Sequence, residues 1–171
     1  ADKDKAVRDG ATALFMASQR GHQEVVRVLC EAGADREKAD AAGETAFTHA
    51  SLKLHPEVVR VLCKAGVDVD QVGSDGDSAL SRASRCGDEE MVRWLCEAGA
   101  EKDRAGADGD TALIGACRSG QLQAAHALCR AGADKDKADT SGNTALIIAS
   151  SSRLSKVARL LCLAGADKDK A

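Results

Sequence analysis

Residues 7–39, VRDGATALFMASQRGHQEVVRVLCEAGADREKA, form one copy of a pattern that fills the rest of the chain. The cysteine late in this stretch recurs every 33 residues, as Cys30, Cys63, Cys96, Cys129 and Cys162. A glycine three residues after it and a threonine or serine near the start of the stretch recur at the same interval. A fixed period of this length is typical of stacked repeat arrays.

The period divides the 171 residues into one partial finger and five complete units. Residues 1–6 are the partial finger of a preceding unit, and the five units cover residues 7–39, 40–72, 73–105, 106–138 and 139–171. A unit of this size cannot bury an apolar face alone and must stack on its neighbours. We therefore expect the units to form one solenoid domain.

Each unit carries the signals of two helices and an extended finger. In the first unit, Thr12 follows a turn and can cap a short helix that ends at Gly21. A second helix is expected from about His22 to Glu31, before the stop signal at Gly33. Its apolar residues are expected on the buried side: Val25, Val26, Val28, Leu29 and Cys30. The polar stretch 35–43 is expected to form the finger, with solvated Lys-Asp columns.

Composition argues against several classes of function. The formal net charge is −3 and aromatic residues make up 2% of the chain, so neither general nucleic-acid affinity nor base stacking is indicated. No apolar run approaches the ~18 residues of a membrane span. No signal peptide opens the chain either. With so few aromatic residues, the core must be built from small aliphatic side chains.

The five periodic cysteines are expected to be reduced, buried thiols. Equivalent residues in neighbouring units should lie about 8–10 Å apart, one helix-packing distance. A disulfide needs Cα atoms within ~7 Å. Of the two other cysteines, Cys117 is expected in the core and Cys86 at the surface. This pattern indicates a reducing, intracellular and cytoplasmic setting.

The unit resembles the ankyrin repeat. The residues that carry the resemblance recur in all five units, and in the first they are Thr12-Ala13-Leu14, Ala17-Ser18, Gly21-His22, Glu24-Val25-Val26, Leu29-Cys30 and Ala32-Gly33-Ala34-Asp35. The resemblance implies an all-α ankyrin-repeat solenoid of stacked helix-turn-helix units with extended finger loops. It also implies a scaffold that binds proteins on its concave side, made by finger tips and the inner faces of the first helices.

The residues that match the concave side fall into two charged groups. The basic group on the first helices, expected to form the floor, is Arg20, His49, Lys53, Arg82, Arg85 and Arg118. The acidic group on the finger tips, expected to form the rim, is Asp40, Glu44, Asp75, Asp77, Asp108 and Asp110. A basic floor with an acidic rim would suit an acidic peptide held by arginines. The alternative is that these charges are solvated or paired with one another across the groove.

Little in the sequence indicates catalytic or metal chemistry. Four histidines and seven cysteines include neither a CxxC nor an HxxxH spacing, so no metal site is expected. The surface thiol of Cys86 lies near Asp88, Glu89 and Glu90, which discourage a thiolate, and no paired base is evident. No glycine-rich phosphate loop is present. We expect no enzymatic activity and no cofactor.

The two ends of the array lack polar capping repeats. Phe15 and Met16 in the first unit and Leu163 in the last leave apolar side chains at the ends, which favours end-to-end self-association. The function predicted is a non-catalytic protein–protein interaction scaffold within a longer ankyrin array. The alternative is a structural spacer, or an engineered or reconstructed repeat scaffold with no natural partner.

Packing differs between the third and fourth units. Where the third unit has Met91 and Trp94 on its second helix, the fourth has Ala124 and Ala127. We expect both large side chains to lie over these alanines and fill the interior. Gly115, inside the first helix of the fourth unit, is expected to mark the softest place in the array.

Overall fold

The computed structural model describes residues 2–170, and within them the regular structure is helical, with only two isolated β-bridges. Helices alternate between a short first and a longer second member of each pair. In chain order α1 to α10 they are Ala13–Gln19, Gln23–Glu31, Ala46–Leu52, Pro56–Lys64, Ala79–Cys86, Glu89–Glu97, Ala112–Arg118, Leu122–Arg130, Ala145–Ser151 and Ser155–Leu163. The second helix of the first repeat thus begins and ends within one residue of its predicted bounds.

The chain divides into two compact units, one up to Ala79 and the other from Leu80 onward. The word unit is kept below for these two parts, and each 33-residue segment is called a repeat. In the first unit, α1 packs on α2 and α3, and α4 packs on α2 and α3. In the second unit, α8 packs on α6, α7 and α10, while α9 packs on α7 and α10. Within a unit, first helices therefore pack on first helices, as in α1 on α3, and second helices on second helices, as in α2 on α4.

The first helices begin at threonine caps. The hydroxyl of Thr12 accepts a hydrogen bond from the backbone N–H of Phe15, and Thr111 and Thr144 cap α7 and α9 in the same way. At α3, Thr45 and Thr48 form a reciprocal capping box. These bonds satisfy backbone donors that the first turn of a helix leaves unpaired, so the repeated threonine sets where each first helix begins.

The turn between the two helices of a repeat requires a left-handed backbone conformation. Glycine occupies this position at Gly21, Gly87 and Gly120, with φ between +68° and +80°. Leu54 and Arg153 fill the same position with φ of 54° and 58°. A side chain with a Cβ is strained in this region, so these two turns hold backbone strain that the glycine turns avoid.

The core consists of small aliphatic side chains in repeating columns. The leucine column of the first helices is buried at Leu14, Leu80 and Leu113, and Phe47 takes the same position. The second helices contribute a fully buried column: Val26, Val59, Val92 and Ala125. Because both columns lie between adjacent helix pairs, stacking removes from water the apolar surface that one repeat cannot cover.

Two residues predicted to be buried in the first repeat are exposed. Val25 is 49% and Val28 57% exposed, whereas Val58, one repeat after Val25, is 1% exposed. The prediction was wrong for these two valines because this side of α2 has no helix pair packed against it in the structure. The column of Val25 is covered where a preceding helix pair is present within its unit, as at Val58 and Val157.

The cysteine column is less buried than predicted. Cys30, Cys63, Cys96 and Cys129 are half-buried and Cys162 is exposed, because the column lies at the edge of the interface between second helices. Burial nevertheless raises the pKa of these half-buried thiols, to about 11 at Cys63. Cys117 is buried and Cys86 exposed, as predicted, and burial raises the pKa of Cys117 to about 12. All seven are free thiols.

The predicted filling of the interior by Met91 and Trp94 is correct for only one of them. Met91 is fully buried, as are Ala124 and nearly all of Ala127. Trp94 is half-buried, so its ring lies at the edge of the core.

The contrast between Val25 and Val58 supplies a stability test with matched residues. Val58→Ala should lower the free energy of unfolding by about 1.5–3 kcal/mol, because it removes buried methyl groups and leaves a cavity. Val25→Ala, the same change at the same helix position, should stay within about 0.5 kcal/mol of the parent protein. Both values come from urea unfolding followed by circular dichroism. Equal losses in the two variants would contradict the burial described above.

Candidate functional site

Carboxylates at the finger tips fold the fingers. Asp40 Oδ1 accepts hydrogen bonds from the backbone N–H groups of Ala42 and Glu44, both at 2.9 Å. Asp75 and Asp108 each accept one from the residue two positions later. These three members of the predicted acidic rim are therefore engaged in turns of their own fingers.

A second set of carboxylates joins neighbouring fingers. Asp4 Oδ1 accepts the backbone N–H of Asp35 at 2.8 Å, and this bond is the main reason that the pKa of Asp4 is lowered. Asp103 and Asp136 accept from the following repeat at the same distance. Lys38 Nζ donates to the carbonyl oxygen of Asp4. The Lys-Asp columns reach solvent, as expected, and their aspartates also bind backbone groups of the following repeat, a role that the sequence did not predict.

In the first unit, the predicted floor holds two exposed cations and one histidine. Arg20 and Lys53 are exposed, and neither side chain forms a hydrogen bond or ion pair with any of residues 2–170. His49 is half-buried, with its ring 5.0 Å from that of Phe15 and its Nε2 3.2 Å from Gln19 Nε2. Burial, aided by the charge of Lys53, lowers the pKa of His49. His49 is therefore neutral at pH 7 and adds no positive charge to this floor.

Glu44 is buried beneath the next finger tip. Its Oε1 accepts hydrogen bonds from the backbone N–H of Ser74 at 2.8 Å and from the Ser74 hydroxyl at 2.7 Å. Glu44 as a whole residue is 6% exposed, and Asp77 is 8% exposed. Glu44 thus ties two adjacent fingers together and presents little carboxylate surface to a partner.

In the second unit, Arg118 joins two repeats through two buried carboxylates. Its Nε lies 2.6 Å from Asp110 Oδ2, and one terminal nitrogen lies 2.6 Å from Asp139 Oδ2. The pKa of Arg118 is raised, chiefly by the hydrogen bond to Asp110. The pKa of Asp139 is lowered, first by the backbone N–H of Asn143, and Arg118 contributes in the same direction. Charge-assisted bonds of this length are strong, so the Arg118 side chain serves to hold two repeats together.

Asp139 stands at a finger tip but was left out of the predicted acidic group. It occupies the same finger position as Asp40, and it accepts backbone bonds from Ser141 and Asn143, as Asp40 does from Ala42 and Glu44. That shared position was the signal available in the sequence. The bond to Arg118 was not readable there, because it joins residues 21 positions apart.

Arg85 and Gly115 form a close contact in the second unit. Arg85 lies 3.5 Å from Asp108 in an ion pair. A Cβ on Gly115 would stand 3.0 Å from Arg85 Cγ, so the missing side chain makes room for the arginine. Arg82, another predicted floor residue, is buried. Gly115 thus has a packing role on the buried face of α7. From the sequence, only a local weakness of the helix was expected at this glycine.

The described residues bring no metal-binding group of side chains together. Among residues 2–170, no three His, Cys, Asp or Glu side chains are grouped so that they could hold a metal ion. Every helix in that range also falls short of the length and hydropathy that crossing a membrane requires. What the geometry does provide is a set of finger tips and first helices whose charges are largely paired within each unit.

Comparison with known proteins identifies the repeat. The family model described as ankyrin repeats (3 copies) matches residues 1–72, 36–105 and 80–171. A search of curated proteins finds no match. Among solved structures, an ankyrin repeat domain from Acinetobacter baumannii AYE is 29% identical with a TM-score of 0.90, covering 98% of this chain and 88% of that one.

Two further solved structures share the fold. The ankyrin repeat domain of Bcl-3, described as a unique member of the IkappaB protein family, is 30% identical with a TM-score of 0.89, covering 99% of this chain and 76% of that one. The ankyrin repeat protein EF0377 is 25% identical with a TM-score of 0.85, covering 95% and 85%. The predicted all-α ankyrin solenoid fold is therefore confirmed.

The Arg118 pairs generate a prediction about pH. The depressed pKa of Asp139 means that its contribution to stability is present above the pKa of an unfolded aspartate, near 3.9, and is lost as pH falls through the folded pKa. Arg118→Met should lower the melting temperature at pH 7 and move acid unfolding to higher pH, because it leaves two buried carboxylates without their shared cation. Arg130→Met, at an exposed arginine in the same unit, should do neither. Acid titration followed by circular dichroism checks both, and identical profiles for the two variants would contradict this role.

Proposed function

The chain belongs to the ankyrin repeat family, and on that premise we propose that it is a non-catalytic scaffold whose concave side binds a partner protein. Ankyrin repeat domains generally mediate protein–protein interactions. The observation that carries the proposal is that each unit holds finger tips and first helices by recurring bonds while the side chains at the predicted concave positions vary. Threonine caps and aspartate turns recur, as at Thr12, Thr111, Asp40 and Asp139. A constant frame with variable side chains suits recognition of a particular partner.

The cations best placed to contact an acidic partner are Arg20 and Lys53. Both are exposed on or beside the first helices of the first unit, and within residues 2–170 neither is bound to a carboxylate. In the second unit, Arg118 already has two carboxylate partners and Arg85 has one. An acidic peptide would have to displace those carboxylates. We therefore place contact with an acidic partner at Arg20 and Lys53.

An array of acidic and neutral peptides tests this proposal. The parent protein should prefer acidic peptides, and Arg20→Ala/Lys53→Ala should weaken that binding roughly three- to tenfold, because two exposed charge contacts are lost. A control, Lys5→Ala/Lys64→Ala, removes the same charge from exposed lysines outside the predicted concave positions. Equal binding by the two double variants would contradict the proposed site. The absence of peptide preference in the parent would favour the alternative, a spacer or an engineered repeat scaffold without a partner of its own.

We also propose an intracellular, cytoplasmic location. The support is chemical: seven free cysteines, of which Cys86 and Cys162 are exposed, persist as thiols most readily in a reducing compartment. The raised pKa values of the buried and half-buried thiols keep them protonated near pH 7. Both observations are consistent with thiols that act in packing, and with a scaffold that performs no reaction.

End-to-end self-association is a second proposal, supported by the exposure of stacking columns. Val25 and Val28 are about half exposed, although Val58, the equivalent of Val25 in the next repeat, is buried. On the last helix pair, Leu146 is half-buried and Ser150 exposed, whereas the equivalent Leu113 and Cys117 are buried. The covered members of these columns contact helix pairs of the same pattern. A second copy of the chain is therefore a complementary occupant.

Sedimentation velocity at increasing protein concentration tests self-association. The parent protein should sediment faster as concentration rises, and Val25→Glu/Val28→Glu should remain monomeric, because charge at the stacking surface cannot be buried unpaired. Val7→Glu is the control, since Val7 is 60% exposed on a finger tip and lies outside the stacking columns. A parent protein that stays monomeric throughout would refute the proposal.

A further inference from the structure

A groove with an apolar floor and a basic rim runs between α8 and α10, on the second helices of the last two repeats. It encloses about 430 Å³. Leu122, Leu160 and Leu163 provide its apolar lining, and His126, Lys156 and Arg159 provide polar and basic groups along it. The groove is formed by different helices from those that carry the predicted concave floor, so it is a separate surface.

The positive charge beside this groove is not neutralised by its own helices. Together, α8 and α10 contain three basic side chains, Arg130, Lys156 and Arg159, and no acidic one. Lys156 and Arg159 are exposed, and neither side chain has a hydrogen bond or ion pair with another of residues 2–170. This differs from Arg118 in the same unit, whose charge is met by two carboxylates. Uncompensated cations of this kind attract an anionic ligand.

Leu163 makes the groove unlike its counterparts. It is 81% exposed, and the residues at its position in the other repeats are all charged: Glu31, Lys64, Glu97 and Arg130. Lys156, Leu160 and Leu163 lie four and three residues apart on α10 and thus share one face of the helix. A mostly exposed leucine is unusual at a position that is otherwise charged. Here it lies beside a second leucine and two unpaired cations.

The neighbouring groove between α6 and α8 has the same construction but different chemistry. Besides Glu89, which lines both grooves, it has acidic Glu97 together with basic Arg93 and Arg130, and its apolar contribution comes from alanines. Arg93 and Arg159 occupy the same helix position two repeats apart. The combination of exposed leucine and unbalanced positive charge therefore belongs to the α8–α10 groove and is not a general property of this face.

We propose that the α8–α10 groove binds an acidic, leucine-rich segment of a partner protein. The segment's apolar side chains would contact Leu160 and Leu163, and its carboxylates would face Lys156 and Arg159. An amphipathic helix in a groove combines these two features. A protein segment fits better than an anionic membrane, because Glu89 also lines the groove and the chain as a whole carries a formal charge of −3. The proposal goes beyond the concave site and does not depend on it.

Fluorescence anisotropy with a labelled synthetic helix, bearing glutamates on one face and leucines on the other, tests the proposal. The parent protein should bind it, and binding should weaken as salt rises. Arg159→Glu should weaken binding about tenfold, through loss of one attraction and gain of one repulsion. Arg93→Glu, the same change at the same helix position on α6, should leave binding near the parent value. Leu163→Ser should weaken binding without unfolding the protein, because that side chain is mostly exposed.

Three further measurements separate the competing outcomes. Peptides with the leucines replaced by serine, or the glutamates by lysine, should bind more weakly than the original, and equal binding would overturn the proposal. Arg20→Ala/Lys53→Ala should bind the helix normally, and loss of binding in that variant but not in Arg159→Glu would place the peptide on the concave side and overturn it as well. No binding of the acidic leucine helix by the parent, or binding only to phosphatidylserine vesicles, would also overturn it.

Discussion

Burial of small aliphatic columns between successive helix pairs is the constraint from which the rest of this structure follows. Val26, Val59, Val92 and Ala125 are each fully buried, yet each belongs to a two-helix repeat that has no interior of its own. Their burial depends on a neighbouring pair within the same compact unit. Where a preceding pair is missing, a position that is buried in the next repeat is exposed, as at Val25 compared with Val58. Stability is thus a property of the contacts between repeats, and a repeat's sequence must suit both of its neighbours.

Close stacking also gives many of the charged residues a structural role. Finger carboxylates such as Asp4 and Glu44 accept hydrogen bonds from the following finger, and Arg118 bonds to carboxylates of its own and the next repeat. Such bonds orient fingers that have little apolar surface of their own. Many of the charges on the predicted concave side therefore serve the frame, and those left for recognition are fewer than composition suggests. Unpaired cationic side chains include Arg20 and Lys53 near the concave side, and Lys156 and Arg159 on α10.

The repeat-to-repeat differences carry most of the information about function. Gly115 gives space to Arg85, Leu163 replaces a charged residue, and Leu54 and Arg153 take a backbone conformation that glycine adopts without strain. None of these changes disrupts the helices around it. A solenoid tolerates such exchanges because each side chain contacts only its own and adjacent repeats, so a new surface can arise locally. The α8–α10 groove is a surface of this kind.

The sequence by itself determined the features that depend on local chemistry. The period of 33 residues predicted the stacked helical fold, the threonines predicted the first turns of the helices, and the bounds of α2 were predicted to within a residue. Turns, caps and helix ends are set by residues a few positions apart, so they can be inferred without knowing the rest of the structure.

Only the tertiary structure decided which charges are paired and how deeply each column is buried. The partner of Arg118 in the next repeat is 21 residues away, and sequence alone did not distinguish it from the free Lys53. The cysteine column was predicted to be buried and is half-buried, because its exposure depends on where it meets the adjacent helix. Trp94 and Val28 deviate from prediction for the same reason. Burial and ion pairing are set by contacts between distant residues, and a repeat pattern specifies the positions of those residues but not the packing around each one.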